Sequence, residues 1–147
     1  MTEFPPKRIL VPVDFTPPAM AGFAAARKLA DSWKAKIELV HVDEVTAALA
    51  MAGDYPPIVL KEWIAARDAR GKRLAKLAEA IPGAGSRVAE GYLSSAIVKA
   101  ARKAKCDMIV MGTHGYTGWR RLVLGSAAES VVRESHVPVL TLHAERK

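Results

Sequence analysis

The stretch DMIVMGTHGYTGWRRLVLGSAAESVVRESHVPVLTL, residues 107–142, contains a complete strand–loop–helix–strand unit. Its apolar ends, Asp107–Met111 and Val137–Leu142, are short runs of the kind that form buried strands. A glycine-bearing loop, Gly112–Gly125, separates the first run from a segment with helical periodicity, Ser126–Ser135. Because two strands joined through a helix form a parallel crossover, this stretch predicts a mainly parallel sheet covered by helices.

The same alternation of strands and helices runs through the rest of the chain. Further strands are predicted at Ile9–Val13, Ile37–Val42 and Arg87–Glu90. Helices are predicted after Thr16, with Pro17 at the first helical position, over Ile58–Ile81, and from Ser94 or Ser95. Residues 45–56 are predicted to form an irregular connection. This order predicts an α/β, Rossmann-like fold, with an open five-stranded parallel sheet and helices on both faces.

The length and the charge of the chain limit the number of its domains and the kinds of ligand that it is expected to bind. At 147 residues, residues 1–147 are expected to form a single domain, since a second core would need more chain. The 22 Lys and Arg residues exceed the 15 Asp and Glu residues, and the net charge of +7 suits an anionic ligand. These cations are spread along the sequence without a block of like charges, so we expect no nucleic-acid partner.

Cysteine content and hydropathy point to a cytoplasmic protein. Cys106 is the single cysteine, which excludes an intrachain disulfide and fits a reducing compartment. The apolar runs are far shorter than the ~18 residues that a transmembrane helix needs, so we expect no membrane association. The first residues also lack the basic and apolar regions of a signal peptide.

Parallel α/β sheets bind ligands beyond the carboxyl ends of their strands, where the strand order reverses. The residues that follow predicted strands one, two and four are Asp14, Asp43 and Gly112 onward, so we expect the site among them. In the last of these loops, two residues separate Gly112 from Gly115, nine separate Gly115 from Gly125, and Ser126 follows directly.

Two interpretations of this glycine spacing remain open at this point. Glycine lets backbone N–H groups approach a phosphate, and a helix that begins at Ser126 adds a positive dipole end. The glycines could instead serve only turns, with Ser126 as the N-cap and Glu129 completing a capping box.

The motif Gly112-x2-Gly115-x9-Gly125-Ser126 resembles the ATP-binding signature of the universal stress proteins. Ile9–Thr16 is similar to the first strand of that family with its acidic end, and Leu39–Val42 is similar to its second strand. The resemblance extends from Lys7 to Leu142, so the chain is identified as a member of the family with a single universal stress protein domain.

The resemblance implies an ATP site built mostly from backbone groups. It implies that Pro12, Val13 and Asp14 lie beside the adenine and ribose, with Val42 contacting the adenine through its backbone. It implies further that Met111 and Gly112 pass close to the ribose, with Thr113 and His114 next along the loop. The phosphates would be held by Gly115, Gly125 and Ser126, and Ala127, Ala128 and Glu129 would complete the helix start. Ala128 lacks a hydroxyl that ATP-binding relatives often carry.

Several candidate residues have structural alternatives. Asp14 could cap the turn before the first helix instead of bonding a nucleotide, and Arg120 and Arg121 could be solvated instead of facing phosphates. The histidines lack metal-ligand spacing, so no protein metal site is predicted. Mg²⁺ bridging the ATP phosphates would fit, with Glu129 nearby.

The residues do not predict an enzyme. The chain lacks a P-loop, a G-x-G-x-x-G after the first strand and a nucleophile elbow. With the resemblance, this predicts a nucleotide-dependent regulator of a stress response. The alternatives are a slow ATPase or autophosphorylating enzyme, and a protein-binding module whose nucleotide pocket is unused.

The last predicted strand, Val137–Leu142, suggests a homodimer. In the expected strand order, 3-2-1-4-5, this strand lies on a sheet edge, yet its residues are strongly apolar. Since an exposed apolar edge is a hazard unless it is covered, we expect two copies to pair through it.

Overall fold

The computed structural model describes residues 3–44, 48–49, 52–53, 55–113 and 124–143. The strands are β1 (Arg8–Pro12), β2 (Lys36–Asp43), β3 (Gly85–Glu90), β4 (Met108–Thr113) and β5 (Val139–His143). The helices that cover them are α1 (Pro17–Trp33), α2 (Pro57–Glu79), α3 (Leu93–Lys103) and α4 (Ser126–Glu134). The predicted boundaries differ from these by one or two residues, as is usual at element ends. The predicted irregular segment, 45–56, lies partly outside the described residues.

The strands form a five-stranded parallel sheet in the order β3-β2-β1-β4-β5. This confirms the predicted α/β fold and its strand order. Alternate residues of the central strand β1 face opposite sides, so Ile9 and Val11 pack with α1 and α2, while Leu10 packs with α3 and α4. Both faces of the sheet are therefore covered, which explains why its central strands are almost entirely apolar.

The topology creates a crevice at the carboxyl ends of β1 and β4. From β1 the chain first builds one side of the sheet, through β2 and β3, and then crosses to the other side at β4. The helices that follow β1 and β4, which are α1 and α4, cover opposite faces of the sheet, and a gap opens between their first turns.

Helix α1 lies unusually close to the end of β4. A Cβ atom added to Gly22 would lie 2.5 Å from the backbone nitrogen of Gly112. One added to Gly112 would overlap the carbonyl oxygen of Pro18 in the first turn of α1. Gly112 is therefore required by the packing of the protein itself, whatever it also does for a ligand.

Helix α1 begins as the sequence predicts, but two other predicted caps are wrong. Thr16 is the N-cap of α1 and Pro17 its first residue. Helix α3 has Tyr92 as its N-cap, because Ser94 and Ser95 already lie within its first turn. The backbone N–H of Leu93 there donates to Glu44 Oε1 (3.1 Å), a carboxylate far away in sequence.

Helix α4 also lacks the predicted capping box. Its N-cap is Gly125, and Ser126 is the first helical residue. The N–H of Glu129 donates to the carbonyl oxygen of Gly125 (2.9 Å), which is an ordinary bond of the first turn. A capping box needs serine at the N-cap, whereas Ser126 lies one residue later, inside the helix. The S-x-x-E box therefore cannot form.

Strand β5 lies at one edge of the sheet, as predicted, but its apolar side chains are used inside the protein. Leu140 and Leu142 pack against the cluster beneath α1, and Val137 and Val139 pack against the cluster beneath α3 and α4. Their apolar character is thus explained by the core of one chain. The groups of β5 that lie at the open edge of the sheet are therefore backbone N–H and C=O groups.

Among the described residues, no helix is both long and apolar enough to cross a membrane.

We predict that Gly112→Ala will lower the free energy of unfolding by about 1–3 kcal/mol or more, because a methyl group there overpacks the contact with α1. Urea denaturation will measure the change. Gly125→Ser is the matched control: Gly125 has an ordinary φ of −56°, and no described atom lies within 4 Å of an added Cβ. Equal stabilities for the two variants would contradict this account of Gly112.

Candidate functional site

A cavity of about 140 Å³ opens in the crevice at the carboxyl ends of β1 and β4. Its wall is mainly apolar, with a few polar groups at the mouth, which is the usual make-up of a small-molecule site. The predicted site residues on this wall are Pro12, Val13, Asp14, Val42, Met111, Gly112, Thr113, Gly125, Ala127 and Ala128. The fold therefore brings together most of the residues that the sequence singled out.

Other predicted residues do not line this cavity in the described structure. Ser126 is exposed at the first position of α4 and is not part of the wall. His114 and Gly115, together with Arg120 and Arg121, lie outside the described residues.

Six wall residues were not predicted as site residues: Thr16, Pro18, Ala19, Val40, Leu93 and Ile97. Pro18 and Ala19 reach the cavity because α1 lies so close to β4. Leu93 and Ile97 are four residues apart on α3, a spacing that signals a buried helix face but not the cavity it borders.

Asp14 lies at the mouth of the cavity and also holds the turn that follows β1. Its Oδ1 accepts hydrogen bonds from the backbone N–H of Thr16 (3.0 Å) and from the Thr16 hydroxyl. The turn-capping role that the sequence left open is therefore real. It orients the carboxylate at the cavity mouth and leaves the ligand role as a proposal.

Phe15, directly after Asp14, has a left-handed backbone with φ 65°, which is uncommon for a residue with a bulky side chain. Its ring contacts two partners: the guanidinium of Arg73 on α2, 4.2 Å from the ring centroid, and the imidazole of His41, 5.8 Å away between centroids. These contacts, and packing of the ring against the core, hold Phe15 in its unfavourable backbone conformation.

His41 connects this stack to the cavity wall. It is buried on β2, and its Nδ1–H donates to the carbonyl oxygen of Val13 (2.8 Å), while the N–H of Val13 donates to Val40 (2.8 Å). Because a carbonyl can only accept, Nδ1 carries the proton. His41 has a structural role, as the sequence suggested, and it positions the Val13–Asp14 segment.

Asp43 does not contribute to the cavity, contrary to expectation. The residue is only 2% exposed and forms ion pairs with two arginines of α2, Arg67 (3.7 Å) and Arg70 (3.9 Å). Since a buried carboxylate is costly without cationic partners, these contacts fasten α2 to β2. The acidic residue after strand two is used for the fold, and a sequence pattern cannot distinguish that use from ligand binding.

The other end of the cavity is formed by the start of α4. Gly125 and Ala127 lie on the wall, and the first backbone N–H groups of a helix have no partner within it. Ala128 is 3% exposed and packs in the core, so a larger polar residue at this position would have little room. Glu129 is exposed on the outside of the helix, where it forms an ion pair with Arg133 (3.9 Å).

Two further residues with polar side chains lie at the ends of β4: Thr113 is its last residue, and Cys106 lies two residues before the strand begins. The Thr113 hydroxyl is hydrogen-bonded to His143 Nδ1 (2.7 Å), which ties the ends of β4 and β5 together. Burial raises the pKa of the Cys106 thiol to about 12, so the thiol is protonated at neutral pH and is a poor nucleophile. In the described part of the chain, no group of three His, Cys, Asp or Glu side chains could hold a metal ion.

We predict that Arg73→Ala will lower the free energy of unfolding by about 0.5–1 kcal/mol through loss of its contact with the Phe15 ring. Lys72→Ala, the neighbouring exposed residue on α2, is the control for loss of one cation. Thermal denaturation of both variants will compare them, and an equal change would show that the Arg73–Phe15 contact contributes nothing.

Comparisons with known proteins agree with this geometry. Residues 5–143 match the model of the universal stress protein family. A curated relative, universal stress protein MJ0531 of Methanocaldococcus jannaschii, is 29% identical over 143 residues, which are 96% of this chain and 84% of that protein.

Solved structures share the fold. The structure of MJ0577 aligns with a TM-score of 0.73 at 23% identity, over 96% of this chain and 98% of that one. A universal stress protein in complex with cAMP has a TM-score of 0.66 at 20% identity, over 95% and 99% of the two chains. A family protein of Arabidopsis thaliana with AMP bound has a TM-score of 0.65 at 16% identity, over 95% and 93%. On the match of the family model to nearly its whole length, this chain belongs to the universal stress protein family.

Proposed function

We propose that this protein binds ATP in the cavity between the ends of β1 and β4 and acts as a nucleotide-dependent regulator of a stress response. The adenine and ribose lie against the Pro12–Asp14 segment and Val42, with Met111 and Gly112 close to the ribose. The phosphates lie at the start of α4.

The observation that carries the proposal is that no described atom lies close to where a side chain on Gly125 would begin, at the cavity wall. A glycine is usually required by a positive φ or by a crowded neighbour, and Gly125 has neither: its φ is −56°, and no described atom lies within 4 Å of an added Cβ. Gly125 nevertheless lies on the cavity wall at the N-terminus of α4. A bound phosphate at this position would account for the missing side chain, because backbone N–H groups then approach it directly.

The rest of the wall suits an adenine nucleoside. Val13, Val40 and Val42, with Met111 across the sheet, offer an apolar surface for a flat ring. The carboxylate of Asp14 at the mouth is placed to accept a hydrogen bond from a ribose hydroxyl. The cAMP and AMP complexes of proteins with the same fold support an adenine nucleotide as the class of ligand.

We propose a binding protein and not an enzyme. A cradle of backbone N–H groups holds the ground state and the transition state about equally, so it gives affinity without acceleration. Of the described carboxylates nearest the cavity, Asp14 is engaged with Thr16, and Glu129 lies on the exposed face of α4 near Arg133. Mg²⁺, where it takes part, would be carried mainly by the ATP phosphates, since this ion needs few protein ligands.

We further propose that the protein is cytoplasmic and pairs as a homodimer through β5. Cys106 is the single cysteine and is a free thiol, which fits a reducing compartment. The N–H of Ile109 donates to Pro138 (2.9 Å), so in the alternating ladder the polar backbone groups of Val139 and Thr141 face the open edge. A second copy of the strand would satisfy them.

We predict that Gly125→Thr will weaken ATP binding at least about tenfold, because its branched side chain fills the phosphate position. Thermal stability should not change, since threonine and glycine are similar N-caps. Isothermal titration calorimetry with ATP and Mg²⁺ will measure affinity, and phosphate release from the wild type should be far slower than the ~10 s⁻¹ typical of enzymes.

The control for this variant is Val132→Thr, an isosteric change on the exposed face of α4. Unchanged ATP affinity in folded Gly125→Thr would contradict the phosphate position. A wild-type protein that binds no adenine nucleotide would contradict the proposed function, and turnover within seconds would make the protein an enzyme.

We predict that Thr141→Pro will shift the protein from dimer to monomer, because proline removes an edge N–H without removing a bond to β4. Sedimentation at micromolar concentration, with circular dichroism as the check on folding, will test this. Leu140→Lys is unsuitable as a test of the dimer, since Leu140 packs against the core and its replacement would also disturb the fold. A wild-type protein that sediments as a monomer would refute the dimer.

A further inference from the structure

A second cleft, of about 440 Å³, lies at the opposite end of the sheet from the candidate site. The residues that line it precede or begin β1, β2 and β4: they are Lys7, Arg8, Lys34, Lys36, Lys105 and Asp107. Five cations and a single carboxylate therefore share one concave surface, although they are far apart in the sequence.

The carboxylate in this cleft is already engaged with the backbone. Both oxygens of Asp107 accept hydrogen bonds, from the N–H groups of Lys7 (2.9 Å) and Arg8 (2.9 Å). The Arg8 guanidinium donates to the carbonyl oxygen of Ala104 (2.8 Å). Asp107 and Arg8 thus hold the ends of β1 and β4 together, and the lysines supply the remaining charge.

The lysines of the cleft are mostly unpaired with respect to the described residues. Lys7 forms an exposed ion pair with Glu3 (2.7 Å). No ion pair joins Lys34, Lys36 or Lys105 to any carboxylate in the described part of the chain. An anion with several charges would find these ammonium groups without having to displace a protein partner.

Two of these lysines occupy backbone positions that favour glycine. Lys34, which ends α1, has φ 57°, and Lys105, in the turn between α3 and β4, has φ 53°. Asparagine or glycine would fit a left-handed position better than lysine does. A lysine in the last turn of either helix would serve the helix dipole equally well with ordinary dihedral angles. The dipole therefore does not explain why both turns present a lysine to the same cleft.

An aromatic pair of one exposed ring, Phe4, and one half-buried ring, Trp33, adjoins the cleft residues in the sequence. Phe4, three residues before Lys7, is 74% exposed and meets the ring of Trp33 edge-on, with 5.3 Å between centroids. Trp33 directly precedes Lys34. Cations that track a phosphate backbone, together with an exposed ring on which a base can stack, are the elements of a single-strand binding surface.

We propose that this cleft binds single-stranded nucleic acid without sequence preference. The lysine ammonium groups contact backbone phosphates, and Phe4 stacks on a base. A protein partner is disfavoured because lysine is depleted at protein interfaces, and the concave shape fits a strand better than a flat bilayer. The expectation of no nucleic-acid partner relied on the even spread of cations along the sequence, and the fold removes that reason by gathering five of them.

The test uses fluorescence anisotropy of a labelled oligothymidylate of about 20 nucleotides, longer than the ~4–16 nucleotides of a typical single-strand site. The assay contains no ATP, because ATP is itself an anion with several charges and would compete for the lysines of the cleft. Gly125→Thr should bind the oligonucleotide as the wild type does, which separates the cleft from the candidate nucleotide site. Binding should weaken steeply with salt, because phosphate contacts release counterions.

The decisive variant is the double replacement Lys34→Gly and Lys105→Gly, which removes two cations while placing glycine where the backbone favours it. The fold should therefore be retained. The plot of log association constant against log salt concentration should become less steep by about 1.4, because each lost phosphate contact reduces the slope by ~0.7. The matched control, Lys61→Gln with Lys72→Gln, removes the same net charge from the exposed face of α2 and should bind as the wild type does. Phe4→Ala should weaken binding by about fivefold or more through loss of base stacking.

Absence of oligonucleotide binding at low salt would overturn the proposal. So would an equal loss of oligonucleotide affinity in the cleft variant and in its control. Displacement of the oligonucleotide by polyglutamate of equal total charge would overturn it as well. Binding of phosphatidylserine vesicles by a protein that does not bind the oligonucleotide would assign the cleft to a membrane surface and would also overturn it.

Discussion

The close contact between α1 and the end of β4 is the constraint on which the site depends. Gly22 and Gly112 have no Cβ, so the first turns of α1 lie directly against the backbone of β4, and Pro18 and Ala19 become part of the cavity wall. A helix held farther out would leave the crevice between β1 and β4 wide and open to water. The same contact explains why Gly112 belongs to the core as much as to the ligand site.

At this edge of the sheet, the acidic side chains are used largely by the protein itself. Asp14 holds the turn before α1, Asp43 is paired with arginines of α2, and Glu44 accepts the first N–H of α3. What the crevice offers a ligand is therefore mostly apolar surface and backbone N–H groups. Such a surface would suit the anionic nucleotide that we propose as its ligand, but it supplies little that would stabilise a transition state over the ground state.

The two ends of the sheet differ in the way charge is presented. At the carboxyl end, Gly125 and Ala127 at the start of α4 line the crevice, and the described carboxylates near it, Asp14 and Glu129, are engaged with Thr16 and Arg133. At the amino end, flexible lysines that follow helices or precede strands converge on one cleft. A preorganised backbone cradle suits a small ligand of defined shape, whereas mobile ammonium groups suit a polyanion of no fixed sequence.

Much of the fold was predictable, because the information is local. Short apolar runs alternating with helical stripes gave the strands and helices to within one or two residues, and the strand order followed from the family resemblance. The site was predictable in outline because strand ends in a parallel sheet share one edge, and the cavity wall includes Val13, Asp14, Val42 and Gly125 as expected. The serine cap predicted for α3, and the one left open for α4, were wrong because serine is common both at the N-cap and in the first turn, so it fits more than one register of a helix start.

By itself, the sequence determined the order of elements, the apolar face of each and the position of the glycine loop, since hydrophobic periodicity and glycine act on neighbouring residues. Tertiary structure alone decided which polar groups meet across long distances. Glu44 caps a helix 49 residues away, Asp107 binds the backbone at Lys7, 100 residues away, and Arg73 packs on the ring of Phe15, a residue with a left-handed backbone. The physical reason is that such contacts depend on where two elements cross in space, and no local pattern in either element encodes the crossing.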